Sequence, residues 1–206
     1  MQTEVISTKE VRQSTIKIMV KGNKGRAISQ AKRPVEQSLN IGTAQHQRVG
    51  VFVDAQNMYH SAKNLYHAKA NFKKILEAAV NGRQLIRAFV YVIKTEGGEE
   101  KAFLEALEKS GYEIKIKDLQ IFPGGMKKAD WDVGIAIDAV ILADKIDVAV
   151  IVTGDGDFIP MVEYLRINRG LKVEAVSFGR STSAKLKEAV DVFTDLGEDS
   201  KKFLMY

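Results

Sequence analysis

The chain has no cysteine, and its 206 residues include one tryptophan, three prolines and three histidines. Lack of a thiol excludes disulfides, thiolate zinc sites and a cysteine nucleophile. His46, His60 and His67 fall in no zinc-ligand spacing, so zinc is disfavoured as well. No apolar run approaches the ~20 residues that a membrane span needs. The opening MQTEVISTKEVRQ lacks the apolar core of a secretory signal, so no membrane association and a cytoplasmic location are expected. Several signatures of phosphate and acyl chemistry are also missing. The sequence has no G-x-x-x-x-G-K-[ST] loop, no G-x-G-x-x-G after its first strand-like run and no G-x-S-x-G elbow. A phospho-aspartate phosphatase fits poorly, because Ala55 and Gln56 follow Asp54 where a D-x-D pair belongs.

Apolar residues make up 45% of the chain, enough for a full globular core. The net charge of +5 is unevenly spread. Residues 1–48 hold nine Lys/Arg and three Glu, which makes that segment +6 and leaves −1 for residues 49–206. A basic arm on a near-neutral body suits a polyanionic partner, and it equally suits a solvated tail. Within the arm, Ile16–Val20 reads as one short strand and Gly22-Asn23-Lys24-Gly25 as a turn.

From Val49 onward the pattern changes. VGVFVD (49–54), QLIRAFVYVI (84–93), YEIKIKDL (112–119), DVAVIVTGD (147–155) and LKVEAVSF (171–178) read as strands. Most are continuous β-branched runs of the kind buried on both faces; YEIKIKDL alternates, as an edge strand does. Helical spacing lies between them. Phe72, Ile75, Leu76 and Ala79 mark a helix over 68–80. Ala102, Phe103, Ala106 and Leu107 mark one over 99–110, stopped by Gly111. Val133, Ile137, Val140 and Ile141 share a face over 130–143, and Met161, Val162 and Leu165 do so over 158–168. Strands alternating with helices predict an α/β domain at 49–197: three layers, a central mostly parallel sheet of five to six strands, helices on both faces. Residues 1–48 form an arm and 198–206 a tail.

In an open parallel sheet, ligands bind beyond the carboxyl ends of the strands. Asp54 ends the first run and Asp155 the fourth; Asp157 follows after one glycine, and Asp132 opens the helix leading into the fourth strand. If the first and fourth strands are neighbours, these carboxylates share a crevice. Each has a bland alternative. Asp54 and Asp157 suit helix N-caps, and Asp132 is favourable against a helix N-terminus without any ligand. Asp155, just beyond a buried apolar run, has the least structural excuse. Together with Asn57 the set is all oxygen, which suits Mg²⁺ or Mn²⁺ rather than softer metals. Asp138 lies six residues past Asp132, about 240° around the helix, so it supports the site or is a satisfied buried acid. Thr153 is a second supporting residue. Lys127, Lys128 and Arg180 sit in loops suited to phosphate contact. Trp131 either stacks a base or packs under its loop.

The strings VGVFVDAQNMY, KKADWDVGIAIDAV and VIVTGDGDFIPMVEYLRINRGLKVEAVSF, with SAKLKEAVDVFTDL (183–196) after them, resemble the LabA-like branch of the NYN domain family, a relative of PIN nucleases. The resemblance implies a PIN-like fold, Mg²⁺ or Mn²⁺ binding and RNA cleavage. It places Asp54, Asn57, Asp132, Asp155 and Asp157 at the family's acidic-site positions, and Asp138 at a recurrent one. PIN domains carry a further acid on an early helix, for which Glu77 is the candidate by location. The expected activity is metal-dependent hydrolysis of RNA, single-stranded RNA being the expected partner. The competing reading is a non-catalytic RNA- or protein-binding regulator with the same fold. A homodimer is left open.

Overall fold

The computed structural model describes residues 45–94, 100–121, 127–128 and 130–206. The readings made for the arm, including its short strand and turn, lie outside the described residues. Six strands form one sheet: β1 (Arg48–Asp54), β2 (Gln84–Lys94), β3 (Glu113–Asp118), β4 (Val148–Val152), β5 (Lys172–Ser177) and β6 (Val192–Asp195). Their spatial order is β3-β2-β1-β4-β5-β6, and every neighbouring pair is parallel. This is a doubly wound sheet whose winding reverses between β1 and β4. The condition set for a shared crevice is therefore met.

The winding follows from strands that are apolar on both sides. Val49, Val51 and Val53 of β1, Val90 and Val92 of β2 and Val148, Val150 and Val152 of β4 enter one core. Phe52, Phe89, Tyr91, Ala149 and Ile151 enter the other. The first core is closed by α1 (Ala55–Tyr66), α2 (Phe72–Val80) and α3 (Glu100–Lys109), and the second by α4 (Asp132–Leu142), α5 (Ile159–Ile167) and α6 (Ala184–Ala189). Strand β3 lies at the edge, as its alternation predicts.

The structure corrects several details. The helix expected from Ala68 begins at Phe72, because Lys69–Ala70 pairs antiparallel with Leu204–Met205 and Asn71 caps the helix through Lys74 N–H (3.2 Å). The C-terminal residues thus pack on the domain, with Phe203 and Leu204 buried in the first core. In α3 only Leu107 of the expected stripe is buried. The larger correction is in α4. Its buried face is Ile135, Ala139 and Leu142, while Val133, Ile137 and Ile141 stay exposed. A helix that is apolar nearly all round offers no angular bias from which periodicity can choose the core face.

On the face of α1 and α2, Arg83 forms a bidentate pair with Glu174 of β5 (2.9 Å to each oxygen) and donates to the carbonyls of Ala79 and Val80. Both side chains are almost fully buried. This staple joins the end of α2 to the far half of the sheet. Among the described residues no helix is long and apolar enough to cross a membrane.

Candidate active site

The carboxyl ends of β1 and β4 open at the switch point, and the N-termini of α1, α4 and α5 point to the same end. Helix N-termini carry partial positive charge, which favours acids there. Asp54 is half-buried at the end of β1, and its Oδ1 accepts from Asn57 N–H at 3.0 Å, capping α1. Strand β4 stops at Val152, three residues earlier than the sequence reading placed it. The chain runs on through buried Thr153 and Gly154 to Asp155, whose Oδ1 accepts from Asp157 N–H at 2.9 Å. Asp155 caps the short 3-10 turn Gly156–Phe158, α5 itself starts after Phe158 without a side-chain cap, and Asp157, expected as the cap, is left exposed. Pro160 sits in the first turn of α5, where its missing N–H costs nothing.

Asn57 ties the two strand ends together. Its Oδ1 accepts from the buried Gly154 N–H at 3.0 Å, while its own N–H bonds Asp54. One residue thereby positions both Asp54 and the loop carrying Asp155. That loop is packed tightly on the turn after β5. A Cβ at Gly154 would come within 3.1 Å of the Ser181 carbonyl, and one at Gly156 within 2.9 Å of Ser183 Oγ. Ser183 N–H closes the contact on Gly154 O at 2.9 Å. The Gly179–Ser181 turn, which packs on this loop through Ser181, also carries exposed Arg180. Thr153 Oγ1 accepts from Asp155 N–H at 3.3 Å.

Asp132 lies in the first turn of α4, half-buried. Burial raises the pKa of Asp54, and the negative charges of Asp132 and Asp155 raise it further, against the opposing Asn57 bond. Burial also raises that of Asp132, reinforced by Asp130, Asp155 and Asp157 and opposed by Lys117. Asp54 thus senses Asp132 and Asp155, and Asp132 senses Asp155 and Asp157. Lys117, at the carboxyl end of β3, donates to the Asp130 carbonyl at 3.0 Å. It is a cation at the site that the sequence reading passed over, although the strand-end rule that picked out Asp54 points to it too.

Other candidates separate from the crevice. Asp138 accepts from the buried Tyr91 hydroxyl at 2.9 Å and pairs with Lys115 at 3.3 Å, so it is a satisfied acid behind the site. Trp131 donates its indole N–H to Val92 O (3.0 Å) and packs on Tyr91, which makes it a structural prop beneath the Asp132 turn. Glu77 is exposed on α2, paired with Lys74 at 2.7 Å, and lines a shallow surface depression with Gly82 and Leu85. Leu85 is the second residue of β2, so Glu77 lies at the opposite end of the sheet from the acids. Lys127 and Lys128 form a short ribbon with Gln120–Ile121 ahead of α4.

Among the described residues no group of three or more His, Asp or Glu is arranged to hold a metal ion. The donor set nonetheless fits a hard divalent cation. It is all oxygen, two of its acids disfavour ionisation without a counter-charge, and Mg²⁺ commonly binds through one or two carboxylates and several waters.

A parallel sheet wound 3-2-1-4-5-6 with helices on both faces defines a PIN-like α/β domain. Residues 48–197 match the NYN domain, and the chain belongs to that family, in its LabA-like branch. This places it in the PIN-like nuclease superfamily. It is 26% identical to the low amplitude and bright protein LabA of Synechococcus elongatus, over 73% of this chain and 84% of that protein. A crystal structure of a protein of unknown function, VPA0982 from Vibrio parahaemolyticus, superposes with a TM-score of 0.72 at 28% identity, covering 78% of this chain and 98% of that one.

Proposed function

We propose that the protein is a divalent-metal-dependent ribonuclease acting at the β1–β4 crevice. The observation that carries this reading is geometric: adjacent strands β1 and β4 end side by side, Asn57 bonds both the Asp54 cap and the loop leading to Asp155, and Asp132 opens α4 at the same end. Acids that disfavour one another's charge are stabilised by a cation between them, and the caps made by Asp54 and Asp155 use one oxygen of each. Asp54, Asp132, Asp155 and Asp157 would hold Mg²⁺ or Mn²⁺. When bound, the ion supplies a water of lowered pKa and positive charge against the phosphodiester oxygens. The chain's own part is placement. Asn57 holds the two strand ends in register, Lys117 offsets the acidic field beside Asp132, and Lys127, Lys128 and Arg180 contact the RNA backbone on either side.

The second reading, a non-catalytic RNA- or protein-binding regulator, draws support from the engaged side chains. One oxygen of Asp54 and one of Asp155 are committed to backbone caps, and no three-carboxylate cage stands assembled among the described residues. Cleavage of labelled single-stranded RNA and DNA with Mg²⁺, Mn²⁺ or EDTA, by the wild type and by Asp155→Asn, separates the two. The ribonuclease reading expects metal-dependent RNA cleavage that Asp155→Asn abolishes. Equal activity in both proteins, or activity indifferent to EDTA, would sink it. RNA binding with no product under any metal selects the regulator.

A further inference from the structure

Helix α4 presents an uncharged apolar stripe to solvent. Val133 is 71% exposed, Ile137 54% and Ile141 69%, each one turn above the last over about 12 Å. Every other described helix of eight or more residues carries charged side chains on its exposed face: Lys63 on α1, Lys73 on α2, Lys101 and Glu105 on α3, Glu163 and Arg166 on α5. The stripe continues onto α5. Asp144, just past α4, pairs with Arg169, just past α5. That pair ties the two helix ends together, and half-exposed Tyr164 and 80% exposed Ile167 lie on the tied end of α5.

We infer that this face is the interface of a homodimer formed by antiparallel packing of α4 against α4 of a second copy. The five side chains leave on the order of 500 Å² of apolar surface open, at the top of the range for a monomer and over half of the ~800 Å² each side of a standard interface buries. Residues at i, i+4 and i+8 form a ridge that fits a groove on a facing helix. A two-fold axis through Ile137 makes that fit self-complementary. Charge at the ends selects a second copy in antiparallel register. Asp130 lies seven residues before Ile137 and Lys145 eight after it. Lys145 is exposed and makes no ion pair among the described residues. Across the axis, each copy's Lys145 faces the other's Asp130. Association is read without a cleavage assay, so its outcome does not depend on the nuclease reading.

The test is sedimentation of the full chain over a hundredfold concentration range. The wild type is expected as a dimer. Ile137→Glu should weaken association roughly a hundredfold or more, as loss of a central interface residue does. Ile116→Glu, an equally exposed apolar position on the opposite face of the sheet, should leave it intact. Because the chain has no cysteine, single thiols report the register. Ile137→Cys should form a disulfide-linked dimer with itself. Val133→Cys should not, but should cross-link when mixed with Ile141→Cys. A wild type monomeric throughout, or an Ile137→Glu dimer as tight as wild type, overturns the interface. Self-linking of Val133→Cys as readily as Ile137→Cys overturns the antiparallel register.

Discussion

Asn57 offers the sharpest test of how the crevice is built. Its side-chain oxygen is the acceptor for the buried Gly154 N–H, 97 residues away in sequence. Asn57→Ala leaves that donor unpaired, at a cost of about 1–3 kcal/mol. For a domain of this size each kcal/mol lowers Tm by roughly 2–4 °C, so a fall of about 5 °C is expected. The same change frees the loop carrying Asp155. Misplacement of a reacting group by about 1 Å costs on the order of a hundredfold in rate, so RNA cleavage should lose kcat with little change in KM. Asn57→Asp keeps the acceptor but adds a charge beside Asp54. It should retain the Gly154 contact, melt lower than wild type in EDTA at neutral pH, and recover when Mg²⁺ is added. Calorimetric melts in EDTA and in Mg²⁺, alongside steady-state cleavage, read all of this. An Asn57→Ala protein that melts within about one degree of wild type and loses only KM would refute the positioning role and make Asn57 a substrate contact.

Three further outcomes follow from the structure. Burial, with Asp132 and Asp155 nearby, raises the pKa of Asp54, so the native state binds its proton more tightly than the unfolded chain. Stability from this group therefore falls as pH rises through the raised pKa, and the penalty is complete at neutral pH. Metal-free Asp54→Asn, which keeps a capping oxygen, should melt above wild type at pH 7, with the gap closing below the usual carboxylate range. Glu174→Ala leaves the Arg83 guanidinium buried without its partner, at about 3–5 kcal/mol and a Tm loss on the order of 10 °C. Burial opposes ionisation of Glu174, but Arg83 and Lys172 prevail and hold its pKa low; the deficit should be full at neutral pH and shrink on acidification through that pKa. Arg180→Ala should weaken RNA binding and reduce the slope of log affinity against log salt by about one, without changing Tm; an unchanged slope would remove Arg180 from the backbone path.

Much of this architecture is legible in local pattern. Continuous β-branched runs such as VGVFVD and VAVIV are apolar on both sides of a strand, so helices must cover both faces, and parallel crossovers follow. Strand-end position alone was enough to single out Asp54 and Asp155. What local pattern leaves open is anything set by a partner distant in the chain. The adjacency of β1 and β4 depends on the order of winding. That Asp155 caps a turn while Asp157 stays exposed depends on where pairing with β1 ends, at Val152, three residues short of Asp155. Asn57 shows its function only when Gly154 is brought beside it. For α4 the sequence established an apolar helix, but which stripe faces the sheet was decided by Gly50, where a Cβ would meet Leu142 and Ile146 within 3.0 Å. That close approach seats the Ile135–Leu142 face against β1 and turns Val133, Ile137 and Ile141 outward, because a sheet of fixed curvature accepts one face of a helix and leaves the other to solvent or to another chain.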